Sequence, residues 1–111
     1  MSERDRESIP TAAAATIRGL RAVARRLDSA HEWQQLAAAL RVNRRIWAKV
    51  QLDAATSSIA ILPHSVATGM ALAAAGADRG RLDDYTIQMI ADFNRRTAAA
   101  LLSASRPGTA A

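Results

Sequence analysis

The chain has 111 residues and no cysteine, enough to bury one core without disulfides or a structural metal. Thiolate zinc sites and a cysteine nucleophile are excluded. Half of the residues are apolar but much of that is alanine, and only four are Phe, Tyr or Trp, so the composition favours helix throughout. The net charge is +5, and the basic side is arginine except for Lys49. Such a balance reads either as an electrostatic footprint for nucleic acid or as arginine on solvated helix faces. The arginines are spread along the chain rather than packed into one tract, and acidic residues are interleaved, which favours solvated faces.

In chain order, Met1–Ser8 is polar, with both signs of charge and no apolar run behind it, and is not expected to act as a signal peptide. Residues 1–9 are expected to be disordered. Pro10 suits a first helical turn, and a helix is predicted from about residue 10 to Leu27, with Ala13, Ile17, Leu20, Ala24 and Leu27 on its buried stripe. Asp28-Ser29 breaks it. Ser29 and Glu32 have capping-box spacing, so the second helix is expected to start there and run to about Ala54.

That second helix carries the run Trp33–Val50, in which Trp33, Leu36, Leu40, Trp47 and Val50 fall three and four apart on one face. Asn43 occupies the same stripe, and Arg41, Arg44, Arg45 and Lys49 lie beside or opposite it. Residues 55–61 read as a connection ended by Leu62-Pro63, where proline can open a third helix. The third helix is expected over Pro63 to about Ala77, burying Val66, Met70 and Ala73 or Ala74, with Gly76 and Gly80 bracketing a frayed end. Asp83 or Asp84 caps a fourth helix reaching about Ser103. Its stripe is Ile87, Ile90, Asn94, Ala98 and Leu101, edged by Phe93 and Leu102. Residues 104–111 read as a flexible tail. No window holds the roughly 18 apolar residues of a membrane span, so a cytoplasmic protein is expected.

No catalytic constellation is legible. His31 and His64 are isolated, Asp83-Asp84 is explained by capping, and no glycine-rich phosphate loop follows a strand. The expectation is a non-enzyme without cofactor or metal. What stands out is an echo: Val42-Asn43-Arg44-Arg45 in the second helix is matched by Phe93-Asn94-Arg95-Arg96 in the fourth, and Ala48 and Ala99 hold equivalent places. An asparagine in an apolar seam costs stability unless its amide is satisfied, and such a residue fixes register and partner. Asn43 and Asn94 therefore either set a specific pairing, with each other or with a bound helix, or match by chance.

Leu40, Asn43, Arg44 and Trp47, followed by Leu62-Pro63 and then Ile90, Asn94 and Arg95, resemble the FlaF family of small helical regulators of flagellin production. The resemblance runs from about Trp33 to Leu102. The segment after Pro63 departs from the family in carrying alanines where bulkier residues are usual, and the N-terminal segment departs in lacking aromatics. The resemblance implies a flagellum assembly factor that regulates flagellin synthesis and secretion, with flagellin bound in the manner of an export chaperone and with the regulator FlbT as a further candidate partner. Leu40, Asn43, Arg44, Trp47, Asn94 and Arg95 are carried over as its partner-binding residues.

Together these readings predict an all-α, single-domain four-helix bundle over residues 10–103, with the second and fourth helices at its centre. Two other functions stay open. One is an RNA-binding regulator of flagellin message acting through Arg41, Arg44, Arg45, Arg95 and Arg96. The other is a helical homodimeric interaction module with no tie to flagella.

Overall fold

The computed structural model describes residues 11–105, apart from the side chains of residues 81 and 105. Four α-helices follow one another: α1 (Thr11–Ser29), α2 (Trp33–Ala55), α3 (Pro63–Ala77) and α4 (Asp84–Ser105), with a 3-10 turn over Arg79–Arg81. The all-α bundle expected from composition and periodicity is the fold observed. α4 runs two residues beyond the expected Ser103, and the rest of the segments read as disordered or flexible lies outside the described residues.

The helix ends follow from local chemistry. Ser29 does not open a capping box; its hydroxyl turns back to the Arg25 and Arg26 carbonyls and closes α1. The box forms one motif later. Glu32 is the N-cap of α2, and Gln35 Oε1 accepts from the backbone N–H groups of His31 (2.9 Å) and Glu32 (3.3 Å). Glutamine serves as well as glutamate at that position, which is why the earlier Ser–Glu pair was a decoy. Ser57 takes a left-handed φ of 58° in the turn after α2. Leu62 is the extended N-cap of α3, with Pro63 in its first turn. Asp78 caps the 3-10 turn through Gly80 N–H. Asp83 Oδ1 accepts from Thr86 N–H at 2.8 Å and caps α4. That bond, followed by one from the Thr86 side chain, holds the Asp83 carboxyl below its ordinary value of 3.8.

The four helices pack around a square. α1 lies beside α2 and α4, and α3 lies beside α2 and α4. The α1–α4 interface is the most extensive and the α3–α4 interface the least. α2 and α4 therefore stand on a diagonal rather than side by side, which corrects the expectation that their stripes pack directly on each other. Short connections make sequential helices antiparallel. The core accordingly divides into two ends: Ala13, Ile17 and Leu20 with Trp47, Val50, Val66, Ala98 and Leu101, and Val23, Ala24 and Leu27 with Leu40, Ile90 and Ala91.

The stripe of α1 is buried as expected, with Thr16 and Val23 added. Leu36 and Ile87 are only half-buried, and Ala74 is exposed while Gly69 and Gly76 face inward. Gly76 is thus a packing residue inside α3, not part of a frayed end; a Cβ there would lie 3.0 Å from Leu40 Cδ2 and 3.1 Å from Ile90 Cδ1. Trp33 is also misplaced by periodicity alone. It sits in the first turn of α2, 39% exposed, under the Arg79 guanidinium at 4.3 Å.

Candidate functional site

At the centre of the bundle the two echoing asparagines meet. Trp47 Nε1 donates to Asn94 Oδ1 at 2.9 Å, and Asn94 Nδ2 donates to Asn43 Oδ1 at 2.7 Å. All three side chains are 1% exposed. The direction of this chain is set by the indole, which can only donate: Asn94 must offer oxygen to Trp47 and so turns its amide nitrogen to Asn43. Asn43 then offers oxygen, and its own Nδ2 is left buried without a partner among the described residues. The chain spans the α2–α4 diagonal, which no other pair of side chains bridges by a hydrogen bond among the described residues.

Trp47 fills the space this diagonal leaves. A Cβ on Gly69 of α3 would fall 2.2 Å from Trp47 Cζ3, so the glycine is what admits the indole. On its other side Trp47 meets Phe93, with ring centroids 5.7 Å apart and planes tilted by 31°. Phe93 is only half-buried, because its outer edge lines a groove.

The groove lies between the start of α3 with the connection before it and the second half of α4. It has a volume of about 650 Å³ and is walled by Ile61, Leu62, Phe93, Ala100, Leu101 and Ala104, with Arg96 and Ser65 at its edges. Leu62 is 62% exposed there. Its origin is the weak α3–α4 interface: alanines on α4 face Ser65 of α3 and the connection before it across space that side chains do not fill. Arg96 also lies over Phe93 at 5.9 Å. The arrangement can hold an apolar face of a partner and place a cation beside it. Among the described residues no group of three or more His, Asp or Glu side chains converges in a way that could hold a metal ion.

Of the residues singled out in the sequence, Leu40, Asn43, Trp47 and Asn94 are core, 1–2% exposed, and present no atoms to a partner in this arrangement. Arg95 reaches the surface but is engaged by Asp28 of α1 and by Asp92 at 2.9 Å. Arg44 is half-buried and makes no ion pair among the described residues. The structure thus brings Asn43, Trp47 and Asn94 together and separates Arg44 from Arg95. The echo is also unequal: Asn94 makes two bonds at the middle of the chain and Asn43 one at its end.

The groove walls were not found from the sequence, because alanines on every face of α4 give no periodic contrast. The usable signal was Leu62, an exposed leucine with no stripe to belong to. Charge is distributed unevenly along the chain. Between residues 11 and 55 eight basic side chains stand against three acidic ones, whereas between 56 and 105 four stand against four. The net charge of the described residues therefore belongs to α1 and α2 alone, although α4 also carries arginines. Comparison with family models, with curated proteins and with solved structures gives no match to this chain.

Proposed function

We propose that this chain is a flagellum assembly factor, similar to the FlaF family, that regulates flagellin synthesis and secretion by holding an amphipathic helix of flagellin in the α3–α4 groove. The observation that supports this reading is the groove itself: an apolar trough of about 650 Å³ lined by Phe93, Leu62 and alanines, with Arg96 among its walls. Long amphipathic helices are prone to aggregate until they are assembled, and a bundle without catalytic groups is suited to mask one. In this reading the motif residues Asn43, Trp47 and Asn94 act through position. They hold the indole against Phe93, and Phe93 forms the groove floor. Arg95, tied to α1 by Asp28, fixes the other side of α4.

The test is co-purification with the flagellin of the same source, at low salt and at about 0.5 M, where screening shortens electrostatic reach. A complex that survives high salt and is lost on Ala100→Glu, with circular dichroism unchanged, is the expected result. Ala100 is exposed, so the substitution tests the groove and not the core; Leu40, 2% exposed, could not serve. No complex at either salt sinks the reading and makes FlbT the next partner to try.

A further inference from the structure

We propose that the outer face of α1 and α2, on the opposite side of the bundle from the groove, is a docking surface for the phosphate backbone of a duplex nucleic acid. The proposal does not rest on the flagellin reading. It begins from an imbalance: the first helical hairpin holds the whole net charge of the described residues. Of its three carboxylates, Asp28 is engaged by Arg95 of α4, Asp53 is held by Lys49, and Glu32 caps α2 at the end of the bundle. None of Arg18, Arg25, Arg26, Arg41 and Arg45 makes an ion pair among the described residues, and all five are exposed.

Helix geometry sets these five on one face. Arg18 and Arg25 are two turns apart on the side of α1 away from its buried stripe, and Arg26 lies beside them toward α2. Arg41 and Arg45 are one turn apart on the outward side of α2. The register follows from Gly19, whose α-carbon faces Ile46, so that a Cβ there would come within 3.1 Å of Ile46 Cδ1. With the helices antiparallel, Arg18 comes level with Arg45. Arg26, which shares a depression with Ala38 and Ala39, comes level with the turn before Arg41. The result is two rungs of guanidinium groups, about 10–12 Å apart along α1 and about 6 Å apart along α2, on helices about 8–10 Å apart. Ala15, Gly19, Ala22 and Ala38 form the low ground between them, which leaves the face flat.

The chemistry narrows the partner. Guanidinium groups match phosphate with two hydrogen bonds each, and five without carboxylate partners form a site for repeated phosphates. No aromatic side chain lies among them, so the stacking that holds single strands is missing. The alanines between them supply too little apolar surface to enter a lipid headgroup layer. Backbone contacts without base readout remain, and they suit an RNA or a DNA duplex.

The experiment measures binding of the full chain to a labelled RNA duplex, a DNA duplex of the same length, oligo-uridine and phosphatidylserine vesicles across a salt series. Expected are duplex binding at 50 mM salt with a log–log salt slope of about −4.5, as five phosphate contacts would give, and at least about tenfold weaker binding on Arg18→Gln/Arg25→Gln/Arg45→Gln with circular dichroism unchanged. Should that variant unfold, Arg18→Lys/Arg25→Lys/Arg45→Lys keeps the charge, and weaker binding by this variant tests the two-point phosphate contact. The RNA and DNA arms identify which duplex is preferred. Absence of duplex binding at 50 mM, unchanged binding by the folded variants, or oligo-uridine or vesicles bound as tightly as duplex would overturn the proposal.

Discussion

The two helical hairpins supply unlike halves of one core. The first, α1 with α2, brings the large side chains Leu20, Val23, Leu40, Trp47 and Val50, all 2% exposed or less, and carries the charge. The second, α3 with α4, is neutral; α3 turns Val66, Gly69, Ala73 and Gly76 inward, and its interface with α4 is the weakest in the bundle. α3 is the element that receives bulk, while α4 adds Ile90 and Leu101, each 1% exposed, to the core. The two outer faces differ as well: alanines along one side of α4 leave a groove, and a hairpin whose bulk points inward can dedicate its outside to arginine.

The sharpest way to break this division is to give α3 bulk. In Gly69→Ala the new methyl would meet the Trp47 ring at 2.2–2.4 Å. The ring is fixed by Asn94 and cannot swing away. A loss of about 3 kcal/mol is expected from urea unfolding, the upper end of overpacking costs. Gly76→Ala meets only the flexible ends of Leu40 and Ile90 at 3.0–3.1 Å and should cost about 1 kcal/mol. Gly19→Ala meets the half-buried Ile46 at 3.1 Å, and a helix-propensity gain of about 0.5–1 kcal/mol should leave it close to neutral. Equal costs at the three glycines would mean that α3 is not specially shaped to receive the indole.

A second test concerns the polar chain that joins the halves. Asn94→Ala removes an acceptor from Trp47 and a donor from Asn43, and strands two buried polar groups. Asn43→Ala strands only the Asn94 amide and also removes the unpartnered Asn43 Nδ2. Asn94→Ala should cost about 2–3 kcal/mol and Asn43→Ala about 1–2 kcal/mol less than that. The double variant should fall short of the sum, since the two residues share one bond. Thermal or urea unfolding of the three variants checks this, and additive, equal losses would remove the directional chain.

On the basic hairpin, the one lysine has a different task from the arginines. Lys49 Nζ lies 2.7 Å and 2.8 Å from the two oxygens of Asp53, whose side chain is 8% exposed while that of Lys49 is 63% exposed. Lys49→Met leaves a nearly buried carboxylate without its cation and should cost about 1–2 kcal/mol, less than for a fully buried pair because water reaches Lys49. Arg45→Met, one turn away and unpaired, should change stability by less than about 0.5 kcal/mol. A comparable loss from both would show that the arginines also hold the fold.

These contrasts mark how far the sequence could be read. The helices, the buried stripe of α1 and most of that of α4 were legible because three-and-four spacing has one physical meaning. The asparagine echo instead allowed a mutual pairing, a bound helix or chance, and only the hydrogen bond across the α2–α4 diagonal decides among them. Trp33 was not legible, since spacing cannot tell a first-turn residue at the end of a bundle from a central one. The inward glycines of α3 were read as a helix end, because glycine signals termination and close approach alike, and only the position of Trp47 decides between them. The groove was invisible for the reason that formed it: alanine carries no contrast between faces. The basic face was legible by counting charge hairpin by hairpin, which asking whether each helix has arginine does not do.

The smallest effect lies at the entry to α4, the wall shared by both halves. Asp83 is fully exposed, and its carboxyl is held below 3.8 by the Thr86 N–H bond. A carboxyl whose folded value is depressed adds stability that is complete above the unfolded value and is lost as pH falls through the folded one. The cap should therefore weaken only below about pH 3.8. Asp83→Asn keeps an oxygen for Thr86 and removes the titration. Its unfolding midpoint should match that of the parent chain near neutral pH and exceed it at pH 2–3, apart from a small loss of charge–dipole attraction at the helix start that salt screens. A variant that loses acid stability in parallel with the parent would place the low-pH sensitivity elsewhere, with Asp53 in the basic hairpin as the next carboxylate to replace.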